Sequence, residues 1–88
     1  MNAEATGFEF PCEYAIKAVG IAEPGFELLV LEIVREHCPT ASRDAISVKH
    51  SRNGKYVSVT LLIEAHSHAQ LDAIYADLTA HDKVLMRL

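Results

Sequence analysis

The chain of 88 residues has room for one domain, and its composition, with half of the residues apolar and 23% charged, is that of an ordinary globular protein. The net charge of −4 at pH 7 lacks the basic excess with which nucleic-acid-binding modules neutralise phosphates, so nucleic acid is disfavoured as the main partner. The sequence shows neither a secretory signal nor an apolar run long enough to cross a membrane, and we expect a cytoplasmic protein.

The first predicted element is a strand that follows a flexible tail at residues 1–8, and the domain itself is expected to span residues 9–88. Apolar side chains alternate along this strand, which is typical of a strand with one buried face. Gly20 and the run Glu23-Pro24-Gly25 end it. The side chains predicted to face inward are the even-numbered ones: Phe10, Cys12, Tyr14, Ile16 and Ala18.

An amphipathic helix is predicted next, with Pro24 in its first turn and Pro39 ending it. Leu28 and Leu31 are expected to point away from its apolar stripe, and His37 is expected to hydrogen-bond the last carbonyls of the helix. The stripe recurs at helical spacing and consists of Phe26, Leu29, Val30, Ile33 and His37.

A β-hairpin is predicted within residues 45–66, because Asn53-Gly54 is the dipeptide favoured in a two-residue type I′ turn. The turn and the hydrophobic pattern independently give the same register. On the apolar face this register pairs Val57 with His50, Val59 with Val48 and Leu61 with Ile46. On the polar face it pairs Tyr56 with Ser51, Ser58 with Lys49 and Thr60 with Ser47.

A second helix is predicted to begin at Ser67, since Ser67-His68-Ala69-Gln70 fits the capping box, and to end at His81-Asp82. Its apolar face consists of Leu71, Ile74, Tyr75 and Leu78. A short last strand is predicted to point Val84, Met86 and Leu88 inward, and Leu85 and Arg87 outward.

The order of the six elements is strand, helix, strand, strand, helix, strand. With right-handed crossovers this order predicts an α+β fold, the ferredoxin-like βαββαβ two-layer sandwich. Its four-stranded antiparallel sheet should have the first and third strands in the centre and both helices on one face. The other face is expected to stay open.

Few residues point to catalysis or metal binding. Cys12 and Cys38 stand alone in apolar surroundings and are expected to be reduced thiols. His66 and His68 are a close pair, but the sequence offers no third ligand nearby. Because no nucleophile occurs in a motif with a base, we expect neither an enzyme nor a metal or cofactor site.

The open sheet face is the most informative predicted surface. RNA-recognition modules use this fold and stack bases on several aromatic residues of this face, whereas here it offers only Tyr56. A small, partly apolar face favours self-association or a protein partner instead. The candidate interaction residues are Lys17, Lys49, Tyr56, Ser58, Thr60 and Arg87.

The loop between the first strand and the first helix is a candidate ligand loop, with Gly20, Glu23 and Gly25 as its residues. A phosphate site would require a glycine-rich loop, but Glu23 and Pro24 oppose an anion by charge and by a missing N–H donor. A connecting turn and a contact to a small molecule both remain open for this loop.

Several short motifs in order resemble those of the YbeD-like bacterial proteins over residues 8–88. They are Phe10-Pro11 leading to Tyr14, Lys17 and Gly20; His37-Cys38-Pro39; the run from Ser51 to Thr60; Leu71, Tyr75 and Leu78; and the final Val84-Leu85-Met86-Arg87-Leu88. The resemblance implies a ferredoxin-like fold similar to ACT regulatory domains, which bind amino acids or similar effectors and usually pair. It implies effector contacts around Gly20 to Gly25 and brings no established activity.

The sequence therefore predicts a non-catalytic regulatory or adaptor module that acts through protein association, as a homodimer or with another protein. One alternative is an ACT-like sensor of a small metabolite such as an amino acid. The other is weak nucleic-acid binding by the open sheet face.

Overall fold

A computed structural model describes residues 9–87 of the chain. The predicted tail at residues 1–8 and Leu88, which was predicted to point inward, lie outside the described residues. The elements are β1 (Cys12–Ile21), α1 (Phe26–Arg35), a short 3₁₀ turn (Arg43–Ala45), β2 (Ile46–His50), β3 (Tyr56–Ala65), α2 (His68–Ala80) and β4 (Met86–Arg87).

The sheet is antiparallel in the order β2-β3-β1-β4, so β1 and β3 are central as predicted. Side chains from one face of the sheet form a common core with both helices. Ile16 opposite Leu61 and Ala18 opposite Val59 are inaccessible to solvent. The predicted ferredoxin-like βαββαβ sandwich is confirmed.

The hairpin register is the predicted one, with His50 opposite Val57 and Lys49 opposite Ser58. The turn type is not. Between β2 and β3 only Gly54 has a positive φ, of 76°, whereas a type I′ turn needs two such residues, so the connection is a longer loop. Two side chains close this loop: the Asn53 carboxamide oxygen accepts from the Lys55 N–H at 3.0 Å, and Ser51 Oγ accepts from the Tyr56 N–H at 3.0 Å.

Helix α1 differs from its prediction in four respects. Pro24 precedes the N-cap Gly25 and does not lie in the first turn of the helix. Leu31 is buried rather than outward, because α1 turns the Phe26, Val30 and Val34 side of its surface toward the core. The helix ends at Arg35 instead of running to Pro39. His37 follows the helix, and its ring lies 2.6 Å from the Asp77 carboxylate of α2 instead of bonding the carbonyls of α1.

Helix α2 begins with the predicted cap. Ser67 Oγ accepts from the Gln70 backbone N–H at 3.0 Å, while the Gln70 side chain accepts from the His66 N–H at 2.7 Å. The same side chain donates to the His37 carbonyl at 2.9 Å. One glutamine thus caps α2 and ties it to the chain that leaves α1.

The face assignment of β4 was wrong by one residue. Arg87 lies opposite Ala18 and Met86 opposite Val19, so Arg87 belongs to the helix side of the sheet and Met86 to the open side. Val84 does point inward, but it lies in the turn before the strand, where its N–H bonds to the His81 carbonyl. Because Val84 lies in a turn, the inward and outward positions of β4 cannot be assigned by strict alternation from Val84.

Candidate functional site

The open face is defined by the outward side chains of β1, β2 and β3 together with Met86 of β4. Five of the six predicted interaction residues lie on it. The register aligns Lys17 with Thr60, and Ser58 with both Val19 and Lys49; Tyr56 lies opposite Ile21 at the end of the sheet. These residues therefore form one surface.

Arg87, the sixth predicted residue, does not belong to this surface. Its guanidinium carbon lies 4.9 Å from the centre of the Tyr75 ring, and its Nε donates to Thr79 Oγ1 at 3.2 Å. Both partners are on α2. Met86 takes the open-face position instead. No sequence pattern indicates this exchange, because it depends on the register of a two-residue strand.

Exposed apolar side chains occur near both ends of the open face. Leu62 is 42% exposed toward one end, while Ile21 and Met86 are 40% and 55% exposed toward the other. Polar residues with short side chains, Ser58 and Thr60, lie between them. The face thus offers apolar contact area at two places within one regular sheet.

Charge is also unevenly distributed along the open face. Glu13 and Glu64 are directly opposite each other at one end, whereas Lys17 and Lys49 lie farther along the sheet. The His66 ring is 3.6 Å from the Glu64 carboxylate. Within residues 9–87, none of Glu13, Lys17 and Lys49 takes part in an ion pair. The face carries an acidic end and a basic stretch that do not neutralise each other.

The three residues of the candidate ligand loop differ in role: Gly20 is a packing position, whereas Glu23 and Gly25 are exposed before α1. Gly20 is buried, and a Cβ there would lie 2.4 Å from the Phe26 ring and 2.7 Å from the Lys83 carbonyl oxygen. Its role is close packing and not ligand contact. Glu23 forms an ion pair with Lys83 at 2.7 Å, and Gly25, with a φ of 89°, precedes α1 as its N-cap.

Glu23 and Gly25 line an open cavity of about 650 Å³ on the helix side of the sheet. This cavity exists because Val48 and His50 of the edge strand β2 are exposed on the face that the helices cover elsewhere. Its lining comprises Ala22, Glu23, Pro24, Gly25, Glu27, Val48, His50, Gly54 and Val57. The volume is within the range of small-molecule sites.

The predicted histidine pair does not converge. His66 lies beside Glu64, whereas the His68 ring packs edge-on against Phe10 with ring centres 5.0 Å apart. In the part of the chain that the structure describes, no group of three or more His, Cys, Asp and Glu side chains is arranged to hold a metal ion. Cys12 and Cys38 are free thiols, and Cys38 is buried.

One titratable side chain is strongly perturbed. Burial raises the pKa of Tyr75 far above its usual value, and the hydrogen bond with the Tyr14 hydroxyl, 3.4 Å away, raises it further. The tyrosine therefore stays neutral and packs beneath Arg87. This cluster lies on the helix side, away from the open face.

Between residues 9 and 87, the structure contains no helix of the length and apolarity that crossing a membrane would require.

Comparison with known proteins places the chain in a family. The family model described as a protein of unknown function, DUF493, matches residues 5–88. The chain belongs to this family. Its members include the UPF0250 protein of Hahella chejuensis, which is 42% identical over 97% of this chain and 93% of the relative. The UPF0250 protein of Ectopseudomonas mendocina is 46% identical over 91% of this chain and 88% of the relative.

The DUF493 assignment confirms the resemblance to YbeD-like proteins. The chain is similar in fold to the solution structure of protein HP0495 from H. pylori, with a TM-score of 0.70 over 92% of this chain and 85% of that one. At 15% identity this likeness supports the fold alone. The family name assigns no reaction, substrate or partner, so a function must be argued from the residues.

Proposed function

We propose that this protein is a small, non-catalytic regulatory or adaptor module that acts through association, with the open face as its docking surface and a second copy of the chain as the occupant. The observation that carries the proposal is the contrast between the two sides of the sheet. The inner side chains pack under both helices, while Ile21, Leu62 and Met86 stay 40%, 42% and 55% exposed on the other side.

The composition of the open face suits a reversible interface. Interfaces that form and separate are about as apolar as the rest of a protein surface and mix apolar anchors with polar groups. Thr60 and Ser58 supply the polar groups here, between Leu62 and Met86. Since the sheet already fixes the backbone, docking would order side chains only, which lowers the entropic cost of binding.

Sedimentation velocity or light scattering across the micromolar range tests the proposal. We expect a concentration-dependent dimer that Leu62→Gln weakens by about tenfold or more, because both copies lose an apolar contact. Leu28→Gln is the matched control, since Leu28 is similarly exposed, at 38%, on α1. A strict monomer at the highest concentration, or equal weakening by both variants, would contradict the proposal.

The cavity beside Gly25 supports a second candidate function, the sensing of a small metabolite. The carboxylates of Glu23 and Glu27 and the His50 ring line it together with the apolar Val48 and Val57. An amino acid would place its ammonium group toward the Glu27 carboxylate, since Glu23 is paired with Lys83, and its side chain toward the valines.

A thermal-shift screen with single amino acids tests this candidate, because a ligand that binds only the folded state raises the melting temperature. Glu27→Gln should abolish any shift without changing the melting temperature of the free protein by much, since Glu27 makes no ion pair within residues 9–87. Absence of any shift at saturating amino acid would reject the candidate.

A further inference from the structure

We infer that two copies pair through their open faces with the strands antiparallel, so that Glu13 of each copy lies over Lys17 of the other. This inference rests on the proposed function and specifies the arrangement of the partner. It depends on where the structure places charge along β1 and β3, and not on the apolar residues alone.

Glu13, at the acidic end of the face, has no counter-charge within residues 9–87. Glu13 and Glu64 are directly opposed across β1 and β3, an arrangement that is unfavourable for like charges. His66 lies near Glu64, at 3.6 Å, but Glu13 has no ion-pair partner in the described chain. A cation supplied from outside would relieve this repulsion.

A cation that Glu13 of another copy could pair with lies on the same face. Lys17 follows Glu13 at a distance of two outward positions along β1, and it is exposed and without an ion pair among residues 9–87. Within one copy the two side chains are about 14 Å apart along the strand, since each of the four residues advances about 3.4 Å. This separation is too long for a direct ion pair in one chain.

A twofold axis lets a second copy bring the two charges together. If the facing strands ran parallel, Glu13 would oppose the partner's Glu13 and Lys17 the partner's Lys17. If they run antiparallel about an axis through Ala15 and Leu62, each glutamate faces a lysine. The same axis brings Leu62 against its own copy at the centre of the contact, while Ile21 and Met86, farther along the sheet, lie outside it.

The size of the face predicts a weak dimer. With about 3.4 Å per residue along a strand and about 4.8 Å between strands, the seven residues of β1 and the seven of β3 that overlap about this axis present roughly 230 Å² of sheet per copy. Such an area is well below the roughly 800 Å² per partner of a standard specific interface. Complementary charge would therefore decide the orientation of the pair and would make its stability sensitive to salt.

Charge exchange between the two positions tests the arrangement. Glu13→Lys alone and Lys17→Glu alone should each raise the dissociation constant of the dimer by about tenfold or more, because two like-charge contacts replace two attractive ones. The double variant, Glu13→Lys with Lys17→Glu, should return to within about threefold of the wild-type constant, since it rebuilds both pairs in reverse.

Matched controls carry the same charge changes off the open face: Glu32→Lys on α1 and Arg52→Glu in the hairpin loop, both exposed. They should leave the dissociation constant within about threefold, and circular dichroism should show all variants folded. A wild-type monomer would reject the proposed function itself. A wild-type dimer that the single variants leave unchanged, or that the double variant fails to restore, would reject only the antiparallel arrangement.

Discussion

The two faces of the central strands β1 and β3 have opposite compositions although they share one backbone. On the helix side, Ile16, Ala18, Val59 and Leu61 are fully buried. On the open side, the intervening positions carry Lys17, Ser58, Thr60 and Leu62. Since side chains alternate strictly along a strand, the buried positions determine which positions face outward. They do not determine which residue types occupy those outward positions.

This difference separates stability from interaction. The inner face sets the register because a slip by one residue would bury Lys17 and expose Ile16. The outer face can therefore carry charges and apolar anchors with little effect on folding.

The largest expected effect comes from two adjacent leucines of β3. Leu61→Ala removes a fully buried side chain and should lower the free energy of unfolding by roughly 2–5 kcal/mol. Leu62→Ala, on the open face, should cost less than about 1 kcal/mol. Urea denaturation of both variants measures the contrast, and similar losses would show that the open face also supports the fold.

A smaller effect is expected at Gly20, where inner packing leaves no room for a side chain. Gly20→Ala should destabilise the protein by about 1–3 kcal/mol, because the added methyl group meets the Lys83 carbonyl, which is backbone and cannot rotate away. Thermal melts followed by circular dichroism would detect this loss. A neutral result would mean that the loop is loose enough to serve a ligand after all.

The smallest expected effect is the difference in stability loss between substitutions at Arg87 and at Lys17, two residues predicted from the sequence to lie on the same surface. Arg87→Ala should cost roughly 0.5–1 kcal/mol, since it removes the contact with the Tyr75 ring. Lys17→Ala should change stability by less than about 0.5 kcal/mol, because its side chain is exposed and makes no ion pair within residues 9–87. Chemical denaturation at moderate salt compares the two, and the reverse order would contradict the corrected placement of Arg87.

Much of the fold could be predicted because several signals agreed. Alternation along β3 and the Asn53-Gly54 dipeptide gave one hairpin register, and the Ser67 cap located the start of α2. The prediction failed where tertiary packing overrides local pattern. Leu31 is buried because α1 is rotated against the sheet, a rotation that periodicity alone cannot determine when leucines surround the stripe.

The candidate site was predictable to the extent that the register was. Lys17, Lys49, Tyr56, Ser58 and Thr60 follow from β1 and the hairpin, whose length fixes their faces. Arg87 does not, since β4 has only two residues and its alternation has no independent anchor. The opposition of Glu13 and Glu64 required the pairing of β1 with β3, which no local motif reveals.

The central position of β1 has a kinetic consequence. The hairpin of β2 and β3 joins neighbouring segments, whereas β1 pairs with β3 and β4 across most of the chain. Closing such long loops costs more entropy than closing the hairpin. We expect the hairpin to form early and the insertion of β1 to limit the folding rate. Ile16→Val and Val48→Ala should then both slow folding. If Val48→Ala mainly speeds unfolding instead, the hairpin forms after the transition state and the order is reversed.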